Sequence, residues 1–563
     1  MLDLKITNAR IVDGTGDEPF MGSVGVKDGV IVAVAPAGEA NDLPGRAHRE
    51  IDAAGHLLTP GFVDIHTHYD GQVCWDKQLT PSSWHGVTTV VMGNCGVGFA
   101  PVRPGDEGEL VSLMESVEDI PGSALHEGMD WGWESFAEYL DSIDTPYAID
   151  VGTQVPHVAI RRYVMGDRCY DDATTNDVAQ MQSLTRDALV AGALGFTTSR
   201  FYGHVDRQGN VVPGTHASAD EMMAIADAFS GLDYGTIEMV SDRLGDEDEL
   251  AWIEKVARDT GRTITPLSGP GRPELWQLAD RLNKEGLSLR PQVGARPASI
   301  LMSLEGTINP MKIYPTYREF MGLPISEQIL RLQDQAVRER IKADEPIVYR
   351  NADARRFTSS FGEMFPLDDA LTYEPSYSDS IQGIAESSGR HHLDVLMDAM
   401  IERRSVIFFF GGYPGNLDSQ FAAIKNASSV FGLSDGGAHC GVLCDASVPT
   451  YMLCYATRDR AIGEKLSLPL VVHKMTQGSA QVYSLHDRGV IREGYRADLN
   501  LIDYEHLALH QPEMVYDLPM NGRRLVQKAD GYLATISHGE VTHERGEFTG
   551  AMPGRLIRGG QQR

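Results

Sequence analysis

The apolar positions of this chain change period twice. Up to residue 59 they alternate in short runs, Leu4-Lys5-Ile6-Thr7, Arg10-Ile11-Val12, Val24-Gly25-Val26 and Val30-Ile31-Val32-Ala33-Val34, split by turns at Asp13-Gly14 and Lys27-Asp28-Gly29. Period two with glycine turns predicts strands of a small antiparallel sheet, too small to hold a core alone. Similar runs return late, at 489–491, 497–502, 525–526 and 531–536. The two ends together predict one discontinuous β domain.

Between the ends, helical spacing alternates with short apolar runs. Gly86 to Met92 reads as a buried strand. Helical patterns at Asn176–Ala191, Asp246–Thr260, Leu393–Arg403 and Leu417–Lys425 each lead into an apolar run, at 195–199, 262–265, 405–410 and 430–435. Alternating helix and buried strand means βα units and a parallel sheet. The predicted fold is therefore α/β: a (β/α)8 TIM-like barrel with a small discontinuous β-sandwich domain built from both termini. The boundaries read as 1–59 and 481–550 for the β domain, 60–480 for the barrel, and a glycine- and arginine-rich, loosely ordered tail at 551–563. Two stretches interrupt the barrel. Residues 101–147 are loop-rich and carry Trp131, Trp133 and Phe136, read first as packing. Residues 296–390 are proline-rich and read as an insertion covering the barrel mouth as a lid.

Composition narrows the function. With 42% hydrophobic and 23% charged residues, the 563-residue chain is of ordinary globular type. A net charge of −30 argues against nucleic acid and against anionic membrane surfaces. No run of about 18 apolar residues is present to span a bilayer. Six cysteines without a Cys-x-x-Cys pair, and no secretory pattern at Met1-Leu2-Asp3-Leu4-Lys5, predict a cytoplasmic protein. The expected partner is a small-molecule substrate, with homo-oligomers open.

Candidate chemistry begins at Gly61-Phe62-Val63-Asp64-Ile65-His66-Thr67-His68. Residues i and i+2 of a strand share a face, so His66 and His68 can grip one metal ion. Cys95 ends the next strand, where its thiolate reaches the same ion or stays an inert buried thiol. Asp435 ends the strand leading into Ser434-Asp435-Gly436-Gly437-Ala438-His439, where a lone buried carboxylate would be costly. It is a candidate both for metal ligand and for the base that takes a proton from water. Four ligands leave little room for water on a tetrahedral ion, so coordination must expand or Cys95 must stand off. His439 stands beside as a substrate or structural contact. His157, after a third strand, is a candidate oxyanion donor or a core histidine. Arg200 and Arg296 are candidates for a substrate carboxylate. Tyr202, His204 and His216, on one loop, are weaker candidates.

These motifs, Pro60–Asp70, Gly93-Asn94-Cys95-Gly96, Ser434–His439 and Gly489–Leu499, resemble the amidohydrolase superfamily, and within it the D-aminoacylase (N-acyl-D-amino-acid deacylase) branch. The resemblance implies a (β/α)8 barrel with a β-sandwich, bound zinc, amide hydrolysis, and a cysteine as metal bridge at the position of Cys95. It also implies one histidine at each of the fifth and sixth strand ends. Here those strands read as Gly235–Asp242 and Thr263–Ser268, and no histidine lies between His216 and His391. Glu238 is a weak substitute ligand. One zinc ion held by His66, His68, Cys95 and Asp435 is therefore expected in preference to two. The expected activity is hydrolysis of an N-acyl-D-amino acid or related N-acyl amine. The alternatives are a cyclic amide hydrolase, non-hydrolytic chemistry on a C–N bond, or an inactive barrel that binds a small molecule.

Overall fold

Eight short parallel strand segments pair side by side. In order they are Phe62–Asp64, Val87–Met92, Asp150–Thr153 running on into Val155–Pro156, Gly195–Arg200, Thr236–Ser241, Thr263–Pro266, Gln292–Val293 and Val430–Phe431. Ladders join the first three, and further ladders join Val155–Pro156 through Thr263–Pro266. Parallel bridges Ile264–Leu289 and Leu267–Gln292 link the sixth to the seventh, which pairs with Val430–Phe431. A bridge from Gly436 to Thr67 brings the eighth back to the first. This computed structural model describes all residues except 38–42, 44–45, 297–298, 349–351, 369–370, 403–404, 410–414 and 561–563. Pro297, Arg403, Phe410 and the last three residues of the tail thus lie outside it.

The helices between strands follow their sequence signals. Thr175–Ala191 starts at a reciprocal cap, Thr174 accepting from the Asp177 N–H while the Asp177 carboxylate accepts from Thr174. Its buried face carries Met181, Thr185, Ala188 and Leu189 at helical spacing, and Gly192 ends it at φ 121°. Asp246 precedes Glu247–Thr260, and Asp418–Lys425 leads into the eighth strand.

Strands from both termini join in one nine-stranded hydrogen-bonded sheet. Its seam is Leu57–Pro60 against Leu499–Ile502, antiparallel, with Leu58 opposite Leu501. Leu4, Ile6, Val24, Val26, Leu499 and Ile536 form its core. Residues 489–491 make no strand, though Val490 and Ile491 are buried. Leu525-Val526 falls in Gly522–Val526, a hairpin with Glu513–Leu518 outside this sheet.

Two expectations need correction. The described part of the apolar run at 405–410 is not one of the eight parallel strands. Val406–Phe409 is the centre of a three-stranded antiparallel sheet with Ser299–Met302 and Met364–Pro366. Apolar composition reports burial and not direction. This sheet and its helices share a core of their own, including Met302, Tyr317, Leu396 and Phe408. The tail is not loose either: Leu556 and Ile557 are buried, and backbone bonds tie Arg555 and Ile557 to Val151.

Candidate metal centre

The segment that follows Phe62–Asp64 and carries the two histidines is pinned from both sides. Asp64 accepts the His66 N–H through one oxygen (3.2 Å) and the Ser434 hydroxyl through the other. The His68 N–H donates to the Gly436 carbonyl at 2.8 Å. The Asn94 amide donates to the carbonyls of Thr67 (3.0 Å) and Val91 (2.9 Å), tying this segment to the turn that holds Cys95. Cys95, Leu433, Asp435 and His439 all have φ between 49° and 64°. Non-glycine residues in the left-handed region cost roughly 1–2 kcal/mol each and persist where their surroundings force them, often at functional sites. Gly437, at φ 91°, lies against His68: a Cβ there would meet its carbonyl oxygen at 2.9 Å.

His66, His68 and Cys95 bring one ligand atom each within 4.8 Å of one another. The Cys95 Sγ is 3.4 Å from His66 Nε2. Asp435 Oδ1 is 3.4 Å from His66 Nε2 and 3.7 Å from His68 Nε2. His66 Nδ1 donates to Gln292 Oε1 (3.1 Å), which turns the lone pair of Nε2 toward the cluster. His68 is 1% exposed, yet among the described residues neither of its ring nitrogens has a hydrogen-bond partner. Glu118 Oε1 and Glu238 Oε1 are likewise buried without one.

Burial sets the titration of these groups, and charge redistributes it. Burial pushes the His66 imidazole down to about 4. Against burial, the carboxylates of Glu118 and Asp435 raise His68 to about 9. Burial would raise Asp435, but contact with His68 and the nearby His66 and His439 hold it below the usual carboxylate range. Burial drives the Cys95 thiol well upward and Glu238 up to about 8. A bound cation reverses this logic, since it favours thiolate and carboxylate.

The other candidates separate. His157 accepts from the Thr198 hydroxyl at Nδ1 (2.9 Å) and donates to Glu221 from Nε2 (3.0 Å). Both nitrogens are occupied, so it has no proton to offer an oxyanion. Arg200 is spent on Glu249 (2.7 and 3.1 Å) and the Ala217 carbonyl (2.5 Å), 2% exposed. It is a structural ion pair and not a carboxylate receptor. Glu238 accepts the Cys95 N–H (3.0 Å), and its other oxygen approaches His66 only on the Nδ1 side, at 4.0 Å. It stands behind the cluster. Arg296 donates to Asp445 through Nη2 and packs over Tyr373 and Tyr451, while its buried Nε is unpartnered. His439 Nε2 is 3.4 Å from Glu118 Oε2, with 26% of its side chain exposed.

Two further residues stand within reach as possible ligands, one of them absent from the sequence reading. Glu118 ends the helix Glu107–Glu118, inside the stretch read as loop-rich. Its Oε2 is 3.6 Å from His68 Nε2. The signal was its phase: it continues the buried stripe of Leu110, Val111, Met114 and Val117, where a charged residue is out of place. His204, read as a weaker candidate on its loop, joins Cys95 and Glu118 in a second group of three ligand atoms within 4.8 Å.

These residues suit a divalent cation. Thiol, imidazole and carboxylate are zinc donors. Among the described residues, the ion-pair partners of Glu118, Glu238 and Asp435 are histidines only. Buried carboxylates without a cation are costly.

The amidohydrolase family model matches residues 49–359 and 367–543. An uncharacterised protein of Mycobacterium tuberculosis is 29% identical over 609 aligned positions, 99% of this chain and 96% of its own. N-acyl-D-aspartate deacylase of Alcaligenes xylosoxydans xylosoxydans is 26% identical over 569, 99% of this chain and 95% of its own. D-aminoacylase of the same organism is 30% identical over 257, 46% of this chain and 47% of its own. Among solved structures, a D-aminoacylase superposes with TM-score 0.65 at 21% identity, covering 99% of this chain and 100% of that one. N-acyl-D-glutamate deacylase of Bordetella bronchiseptica, complexed with zinc and a phosphonate inhibitor, superposes with TM-score 0.64 at 20% identity, with 99% coverage of both. At those identities the likeness is one of fold. The family match spans most of the chain, and the chain belongs to the amidohydrolase family, metal-dependent hydrolases of C–N bonds.

Proposed function

We propose that this protein removes the acyl group from an N-acyl-D-amino acid or related N-acyl amine at a zinc site formed by His66, His68, Cys95 and Asp435. The observation that carries this reading is His68, fully buried with two unpartnered ring nitrogens, facing Asp435 and Glu118. We read the eight parallel strands as a (β/α)8 barrel and the terminal sheet as its β-sandwich companion. The donors then stand at the carboxyl ends of the strands, where barrel enzymes keep their sites.

Zinc bound there supplies Lewis acidity toward the acyl carbonyl and the attacking water. Asp435 does the proton work. Its side chain is 16% exposed and so reaches the mouth, and a bound cation would favour its carboxylate form. It takes the water's proton and delivers it to the leaving nitrogen. Arg296 follows the strand whose Gln292 orients His66, and its unpartnered Nε suits a substrate carboxylate. His439, partly exposed beside Glu118, lines the same mouth. The relatives that act on N-acyl-D-aspartate and N-acyl-D-glutamate favour such an acylated acidic amine. Six free cysteines suit a reducing compartment, and we place the protein in the cytoplasm.

The test is product analysis of the zinc-loaded protein against N-acetyl-D-amino acids, their L-enantiomers and cyclic amides. Release of free D-amino acid with little from the L-series is the expected result. Turnover of cyclic amides alone would move the assignment to a ring-opening amidohydrolase. Bound metal with no turnover of any class would leave a binding protein.

A further inference from the structure

The family resemblance places a histidine at each of the fifth and sixth strand ends, and this chain has neither. The structure gathers three other donors beside the first cluster. Cys95, Glu118 and His204 bring one ligand atom each within 4.8 Å of one another. Glu118 comes from the helix inserted between the second and third strands, and His204 from the loop after the fourth.

Each is presented as a ligand would be. Glu118 is 1% exposed and, among the described residues, pairs with histidines alone and keeps Oε1 unpartnered. His204 shares Nδ1 with the Ser199 hydroxyl at 2.8 Å, which fixes the ring and leaves Nε2 as its free nitrogen. Cys95 is common to both triads, and its backbone is held in the left-handed region at φ 54°. Glu238 spends one oxygen on the Cys95 N–H, and its other oxygen approaches the cluster only from the Nδ1 side of His66, at 4.0 Å.

We propose that Cys95, Glu118 and His204 hold a second divalent cation of the zinc class, with Cys95 shared between it and the His66–His68–Asp435 site. This rests on the metal site assigned above and changes its count. It also relieves a difficulty of that site. Four protein donors fill a tetrahedral ion, whereas one thiolate, one carboxylate and one imidazole leave a fourth position free, the pattern of catalytic zinc. Loops thus supply what two strands supply elsewhere in the family. Glu118, which also touches His68 and His439, joins the two halves of the centre.

The test is metal stoichiometry with cobalt as a spectroscopic probe. Full-length protein stripped with a chelator is titrated with Co²⁺, and bound metal is counted by elemental analysis after desalting. Wild type is expected to saturate near two ions per chain. Glu118→Gln and His204→Asn should each saturate near one. Both should keep a thiolate-to-cobalt absorption band, because Cys95 still serves the first site. Circular dichroism of the stripped proteins checks folding, and if Glu118→Gln misfolds, His204→Asn decides. Saturation of wild type at one ion, unchanged in stoichiometry and spectrum by both substitutions, overturns the second site and leaves the first. No bound metal in folded wild type overturns both. A count reduced by His66→Asn but not by His204→Asn likewise sinks the second site alone.

Discussion

His157 and His68 are both buried histidines at strand ends, and each faces carboxylates. Around His157 each ring nitrogen is bonded, to Thr198 and to Glu221, and Glu221 is also held by Arg161. Arg200 and Glu249 close on each other in the same way, with Ser241 and Trp252 adding donors to the carboxylate. Around His68 the residue types are the same, but both ring nitrogens and one oxygen of Glu118 are left unbonded, and no arginine or lysine pairs with the carboxylates among the described residues. Buried polar groups are satisfied as a rule. The His157 cluster satisfies itself as scaffold does, and the His68 cluster is the one whose donors our proposal assigns to a cation.

That contrast can be broken at either side. Asp435→Asn keeps shape and removes the base, so deacylation should fall about 10²–10⁴-fold with circular dichroism unchanged; activity within a few-fold of wild type would remove Asp435 from the chemistry. Arg200→Ala leaves the buried Glu249 carboxylate with Ser241, Trp252 and the more distant Arg243 (3.7 Å) in place of a two-point guanidinium contact. Urea unfolding should show about 3–5 kcal/mol lost, while KM of the folded fraction stays put. A raised KM with intact stability would return Arg200 to the substrate.

A gentler probe is Glu221→Gln. Burial would raise Glu221, but the His157 hydrogen bond and Arg161 hold it near 2, below its ordinary 4.5. A depressed carboxylate stabilises the fold above its unfolded pKa, and that stability is lost as pH falls from about 4.5 toward 2. Wild type should exceed the variant by up to about 3 kcal/mol near neutrality, and the gap should shrink over that acid window. A gap independent of pH would mean that Glu221 contributes packing and not charge.

What was legible followed from short-range pattern. Two histidines spaced i, i+2 at a buried strand end point one way by geometry alone. Cys95 and Asp435 were legible because each closes an apolar run. Glu118 was overlooked because residues 101–147 read as loop, although the stripe Leu110, Val111, Met114 and Val117 marks a helix whose buried face it shares. His204 was underrated because only the path of a long loop brings it to Cys95. The seventh strand, Gln292–Val293, is two residues long and half polar, below what periodicity can register. Val406–Phe409 was legible as a strand, but its antiparallel partners lie more than 35 residues away, on the insertion's own sheet. Arg200 looked available because its acceptor, Glu249, is on a helix one unit further on.

The seam between Leu57–Pro60 and Leu499–Ile502 sets a schedule for the chain on the ribosome. The first strands emerge early, but the edge at Leu57–Pro60 has no antiparallel neighbour until the far end is made. At roughly 5–20 residues per second, the intervening stretch of about 440 residues takes roughly 20–90 s to synthesise. Through that interval the nascent amino-terminal strands carry an open, apolar edge, the kind of surface that chaperones shield.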